Sequence, residues 1–399
     1  MFDKNSNNVY ITGLGAICAI GNNVSEIHSS LCEEKTGIGK AGIMKIGSEC
    51  EFTIGEVKLT NSELAAMTGI KSDQPRTTLL AVKAAKEAMI NASLDNHRNL
   101  RIGLIVGTTV GGMDKTELLY SGNESPENFM PSHHCGYTTD LLAEELNITE
   151  YINTISTACS SGANAIMTGA KLIKQDMLDV VIAGGSDAIS AFTLNGFKSL
   201  MILDENPCKP FSAERMGLNL GEGAGFVVLE SEGAANKRKA NILCQVVGYA
   251  NTNDAYHQTA SSPDGRGPFS AMKTAIEMSK FKPSEIDYIN VHGTGTDNND
   301  LTEGLAIKRL FGENIPDLSS TKAYTGHCLG AAGAIEAVIS VLAIKNKEVY
   351  PNLNFNSEII ETGITPVLQY SKKDVSTVLS NSFGFGGCDT SLVFSTVIN

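Results

Sequence analysis

One pattern occurs twice in this chain, and it limits the folds open to it. An extended apolar run, a polar turn and a helix crowded with glycine and alanine appear around Cys159 and again after Lys322. In the first copy Ile155-Ser156-Thr157-Ala158-Cys159 ends the run, and the helix spans about Ser161 to Lys174. In the second, Ser319-Ser320-Thr321-Lys322 leads through Gly326-His327 to a helix over Gly330 to Ala343. Glycine and alanine let backbones approach closely. The two helices are therefore expected to pack together at the centre, with their N-terminal ends in one pocket.

The flanking segments alternate strand and helix patterns. Val9 to Thr12 reads as an opening strand, Thr77 to Met89 as an amphipathic helix, and Ile102 to Val106 and Val180 to Ala183 as short buried strands. Gly221 to Gly225 leads into a strand over Phe226 to Leu229. After a polar connector, Ser231 to Asn241, the order restarts with a strand from Cys244 to Ala250, a helix from Met272 to Lys280 and a strand from Tyr288 to His292. This predicts a duplicated α/β fold divided into 1–240 and 241–399.

Composition narrows the function. With 42% hydrophobic and 19% charged residues over 399 positions, the chain can bury a large core, and its net charge of -13 opposes nucleic acid or an acidic membrane. No segment reads as a membrane span, and the polar start from Met1 to Asn8 lacks a signal-peptide pattern, so a cytoplasmic location is expected. Nine scattered cysteines without a C-x-x-C pair predict reduced thiols and no bound metal. The adjacent His133-His134-Cys135 reads as loop, because neighbouring side chains point apart.

Cys159 stands where the extended run breaks into a helix, at the positive end of a helix dipole that favours thiolate and lowers its pKa. The same position equally suits a buried structural cysteine. His327 precedes the counterpart helix, and His292 ends a strand before Gly293-Thr294-Gly295-Thr296. Either histidine alone is equally at home as a loop residue. Together, a thiol and two imidazoles support acyl transfer: the thiolate carries the acyl group, and ring N–H groups stabilise negative charge on a second substrate.

The order of motifs resembles the β-ketoacyl-acyl carrier protein synthases, elongating type II condensing enzymes of the thiolase superfamily. It runs from Thr157-Ala158-Cys159-Ser160-Ser161-Gly162 through Gly221-Glu222-Gly223-Ala224-Gly225 and Val291 to Thr296 with Asn299-Asp300 and Glu303. It continues through Ser320-Thr321-Lys322, Thr325-Gly326-His327 and Leu329 to Gly333, and ends at Asn381 to Gly387. The resemblance implies a thiolase-like fold of duplicated α/β halves layered α-β-α-β-α. It implies that Cys159 is acylated from an acyl carrier protein, with the oxyanion on the backbone N–H groups of Cys159 and Phe385. His292 and His327 would then stabilise the enolate left when malonyl carrier loses carbon dioxide. Lys322 and Glu303 would form an ion pair behind the histidines, with Asp300 in support; Thr294 and Thr296 would bind the pantetheine arm, and Phe385 would gate the site. No bound cofactor is implied, because phosphopantetheine arrives on the carrier, and the family is generally homodimeric.

Val110, in Gly107-Thr108-Thr109-Val110-Gly111-Gly112, stands where isoleucine commonly floors the acyl pocket, and suggests slightly more room. Phe211 to Asn219 and Cys388-Asp389-Thr390 also depart from the usual strings. These departures point to a specialised aryl polyene, flexirubin-like or polyketide pathway as an alternative to bulk fatty acid synthesis. Lys71, Arg76, Lys209 and Arg215 are candidates for docking an acidic carrier. Two other readings remain: a non-catalytic chain-length partner subunit of a heterodimer, and a coenzyme A-dependent thiolase using Cys388 as its base.

Overall fold

The computed structural model describes residues 8–43, 52–94, 99–120 and 130–397; Cys50 and the start of the chain before Asn8 lie outside them. The strands of the first half are Val9–Cys18 (β1), Ile102–Gly107 (β2), Tyr151–Ile155 (β3), Val180–Asp187 (β4) and Gly223–Ser231 (β5). Those of the second half are Cys244–Asn253 (β6), Tyr288–Asn290 (β7), Asp317–Ser319 (β8), Thr377–Gly384 (β11) and Cys388–Ser395 (β12). Glu348–Val349 (β9) and Ser371–Lys372 (β10) pair as a separate ribbon.

The order across the main sheet is β3-β2-β4-β5-β1-β6-β12-β11-β7-β8. Read inward from each edge, the halves follow one path: β3-β2-β4-β5-β1 corresponds to β8-β7-β11-β12-β6. Directions agree as well. β2 runs parallel to β3 and β4, and β5 antiparallel to β4 and β1. Likewise β7 runs parallel to β8 and β11, and β12 antiparallel to β11 and β6. The halves meet through a short β1–β6 pairing at Tyr10–Gln245 and Ile11–Cys244. The duplication inferred from pattern is thus a duplication of topology.

Layering follows from which faces are apolar. β1, β2, β4 and β5 are buried along their whole length, as expected of strands covered on both faces. The Arg76–Asn91 helix covers the first half from outside, and the Arg266–Ser279 helix covers β6 and β12. Between the halves lie the Ser161–Lys174 helix and its counterpart Ala332–Asn346, which pack on each other and on the strands. Leu329–Asn346 is, at 18 residues and a mean hydropathy of 1.4, long and apolar enough to cross a membrane, contrary to expectation; 89% of it is buried, and it is the central helix of the core. The Ser231 to Asn241 segment also differs from expectation, because Ser231 caps a short helix, Glu232–Arg238.

Small residues let the central helices touch. A Cβ added at Gly162 would lie 2.8 Å from the Ala334 Cβ and 2.9 Å from the Gly330 carbonyl oxygen, and one at Gly333 would lie 3.0 Å from the Ala163 Cβ. Gly162→Val is therefore expected to force the helices apart and lower stability by about 1–3 kcal/mol or more. A fall in the urea midpoint checks this; an unchanged midpoint would show that the contact can relax.

Candidate active site

The elbow at Cys159 is built by hydroxyl groups. Ala158 takes a left-handed φ of 51°, which turns the chain out of the extended conformation. Ser161 Oγ accepts from the Thr157 N–H at 2.9 Å and donates to the Ala158 carbonyl at 2.6 Å, while Ser160 Oγ donates to the Thr157 carbonyl at 2.8 Å. The helix then starts at Ser161. Cys159 is left at its mouth, 5% exposed.

The duplicated fold delivers both histidines to that thiol. The sulfur and one ring nitrogen from each of His292 and His327 lie within 4.8 Å of one another, and the two rings meet edge to face with centroids 5.3 Å apart. Hydrogen bonds fix their tautomers. His327 Nδ1 accepts from the Leu329 N–H at 3.1 Å, and His292 Nδ1 faces the Lys322 ammonium at 3.2 Å. With each Nδ1 acting as acceptor, each Nε2 carries the proton as a donor. Burial, then the charge of Lys322, holds both rings well below the usual histidine range, so they stay neutral.

The thiol itself departs from the sequence reading. Burial pushes Cys159 up to about 11, outweighing the opposing pull of the Lys322 charge and of the Phe385 N–H that faces the sulfur. The helix start thus does not make a resting thiolate. Without substrate the group is a neutral thiol.

The expected Lys322–Glu303 ion pair is not formed. Lys322 Nζ instead pairs with Glu336 at 2.5 Å and donates to the His292 carbonyl, also at 2.5 Å. Glu336 was not anticipated, although a lone acid inside an apolar, alanine-rich helix is a readable signal. Glu303 accepts from the backbone N–H groups of His292 (2.9 Å) and Gly293 (2.8 Å) and from Asn381 Nδ2 (3.0 Å), so it shapes the backbone around the histidine. Asp300 is fully buried and accepts from the N–H groups of Thr294, Gly295 and Phe211. It holds the Gly-Thr turn and does not line the cavity.

A cavity of about 230 Å³ opens over the cluster, lined by Cys159, both histidines, Thr294, Thr296 and Phe385 among others. Thr294 Oγ and Thr296 Oγ bond each other at 2.9 Å. Phe385, followed by Gly386 at φ 80°, stacks on Phe197 with centroids 5.8 Å apart. Val110 does not line this cavity; it packs behind it, against the cluster containing Ile189 and Leu329.

Two docking candidates are not on the surface. Arg76 is 4% exposed, and its guanidinium bonds Glu222 on both carboxylate oxygens as well as the Val57 carbonyl. Arg215 is buried and bonds the carbonyls of Ser212, Thr296 and Asp297, which ties the entrance segment to the Gly-Thr turn. Their long side chains serve as buried braces because carboxylate and carbonyl partners await them. Lys209 is half-buried beside Glu214 at 3.1 Å, and Lys71 is exposed. Asp187 also escaped the sequence reading. Its carboxylate accepts from Thr108 Oγ and from the N–H groups of Thr109, Val110 and Gly330, joining the two copies of the motif.

This site decides between the sequence readings once it is set beside known proteins. Residues 6–235 match the beta-ketoacyl synthase N-terminal domain, and residues 243–356 match the C-terminal domain. The chain belongs to the β-ketoacyl synthase family. It is 36% identical to the 3-oxoacyl-[acyl-carrier-protein] synthase 2 of Staphylococcus aureus (strain COL), over 97% of both chains. Among solved structures it is similar to the ishigamide ketosynthase/chain length factor (TM-score 0.93, 30% identity, 99% of this chain and 100% of that one). It is also similar to the ketosynthase ApeO in complex with its chain length factor ApeC from Xenorhabdus doucetiae (TM-score 0.85, 30% identity, 100% of both chains). This β-ketoacyl synthase is thus a condensing acyltransferase of thiolase-like fold. The thiolase reading is not favoured: Cys388 opens β12 beside Asn253, outside the cavity lining.

Two outcomes follow. Because the thiol titrates toward about 11, its thiolate fraction grows with pH, and alkylation of Cys159 by iodoacetamide should keep accelerating from about pH 7 to about pH 10. Mass spectrometry of the Cys159 peptide reads this; a plateau near neutrality would show a preformed thiolate. Arg76→Glu should cost about 3–5 kcal/mol by leaving buried acids unpaired. It should therefore lower the urea midpoint, and an unchanged midpoint would return Arg76 to the surface.

Proposed function

We propose that this synthase extends a carrier-bound acyl chain by two carbons, with Cys159, His292 and His327 as its catalytic groups. The observation that carries the reading is the convergence of two neutral imidazoles on one thiol, each with its Nδ1 already occupied. In the first half-reaction Cys159 Sγ attacks the thioester carbonyl of an acyl carrier protein. The Cys159 proton leaves with the departing pantetheine thiol, and the oxyanion rests on the N–H groups of Cys159 and Phe385. Malonyl carrier then enters and its C–C bond to carboxylate breaks. Carbon dioxide leaves, and the enolate oxygen takes hydrogen bonds from His292 and His327. The enolate carbon attacks the acyl-Cys159 carbonyl, a C–C bond forms, and the thiolate is released and takes up a proton. Lys322, held by Glu336, keeps His292 in the donating tautomer. Thr294 and Thr296, on the cavity wall, receive the pantetheine arm that each carrier brings, so no cofactor need reside in the protein.

The acyl chain belongs to a specialised, polyketide-like pathway, as the likeness to ketosynthases described with chain length factors supports. This chain is the catalytic member, since thiol and both histidines are present. A second copy joins at the β3 edge, where among the described residues the strand pairs only with β2 and Ile152 is exposed. The enzyme works in the cytoplasm, a reading supported by the eight free thiols among the described residues. Lys71 contributes to the landing site for the acidic carrier.

Cys159→Gln should take no acyl group yet still release carbon dioxide from malonyl carrier, whereas His292→Ala and His327→Ala should each slow that release by about 10²–10³. Single-turnover carbon dioxide release and intact-protein mass spectrometry read both halves. A folded Gln variant that releases none would overturn this division of labour.

A further inference from the structure

Away from the cavity, the described residues bring one other set of metal-ligating atoms together. His28 Nε2, Cys32 Sγ and a Glu348 carboxylate oxygen lie within 4.8 Å of one another. His28 and Cys32 are four residues apart on the Val24–Cys32 helix and so share one face. Glu348 opens β9 just after the central helix, and its side chain is fully buried. None of the three lines the catalytic cavity.

Three groups crowd one ring nitrogen. His28 Nε2 lies 2.5 Å from Glu348 Oε1, 3.1 Å from Asn346 Nδ2 and 3.3 Å from Cys32 Sγ. An imidazole nitrogen has a single in-plane site, as donor or as acceptor, so these contacts cannot all be hydrogen bonds. A cation at their focus would satisfy nitrogen, sulfur and oxygen together. The carboxylate is already positioned: Oε2 takes Tyr370 OH and Lys372 Nζ, each at 2.8 Å, and Tyr350 OH donates to Oε1 at 2.7 Å. Outer partners of this kind orient the ligands of metal sites.

The geometry points to a binding site for a zinc-class divalent cation, held by His28 Nε2, Cys32 Sγ and Glu348 Oε1 with a fourth position open to solvent. One imidazole, one thiolate and one carboxylate suit Zn²⁺ or Co²⁺ and not the hard, oxygen-seeking Mg²⁺ or Ca²⁺. Bond lengths of about 2.0–2.3 Å in a tetrahedron space the ligand atoms about 3.3–3.7 Å apart. The Cys32–His28 pair has that spacing, and the His28–Glu348 pair must open by about 1 Å. The His28 side chain is 31% exposed, which leaves a way in. Coordination sends the Cys32 thiol proton into solvent, so binding tightens as pH rises. The cation would clip a first-half helix to the β9–β10 ribbon of the second half.

Titration of the chelator-treated full chain with Co²⁺ tests this. One equivalent should bind with a thiolate-to-cobalt charge-transfer band, and Tm should rise. Cys32→Ser should lose the band and the Tm rise while condensation activity stays at the wild-type rate; Cys159→Ser should keep the band. No band with cobalt in excess would overturn the site, as would a band that survives Cys32→Ser and disappears in Cys159→Ser, since that would locate the metal at the catalytic cluster.

Discussion

The contact between the two central helices at Gly162, Gly330 and Ala334 is what the rest of the molecule depends on. Any side chain at Gly162 would meet backbone and Ala334 within 3.0 Å, so the helices approach only because none is there. That approach brings the elbow at Cys159 and the turn at His327 to one place. Asp187 completes the junction by accepting N–H groups from Thr109 in the first half and Gly330 in the second. Burial raises this carboxyl to about 6 despite those bonds, so below that pH it is protonated and holds its donors less tightly. The geometry of this cluster is a by-product of helix packing.

The site is electrically quiet apart from one pair. Desolvation keeps Cys159 a thiol and both histidines neutral, and it leaves Lys322, held by Glu336, as the cation beneath them. Neutral imidazoles suit hydrogen-bond donation to an enolate, since a charged imidazolium would protonate it instead. Lys322 thus fixes the tautomer and orientation of the His292 ring. Glu303 and Asp300 act one layer further out, on backbone N–H groups, and hold the Gly-Thr turn that carries His292 into the cavity.

Buried polar braces follow the same economy of burial. Arg76 pairs with Glu222 inside the first half, while Arg215 grips carbonyls of both halves and Glu348 gathers two tyrosines, a lysine and the first-half His28. Each is a charged group taken out of water and held by polar partners, as burial of charge requires. They also explain why long basic side chains that look suited to a docking surface are absent from it.

Much was legible in the residues alone. The doubled strand, turn and Gly/Ala helix, the Ser161–Lys174 bounds and the roles open to Cys159, His292 and His327 all follow from local signals: periodicity, small-residue density and the order of motifs. These depend on near neighbours in the chain, so the chain itself carries them. The partner of Lys322, the burial of Arg76 and Arg215, the retreat of Val110 from the cavity and the upward shift of the thiol do not. Coulomb attraction and desolvation act through space, and they are set by groups such as Glu336, Glu222 and Phe385 that are distant in the chain and brought near only by tertiary packing. The sequence determined which groups the site contains; the tertiary structure decided their charge, their partners and the tautomers in which they meet.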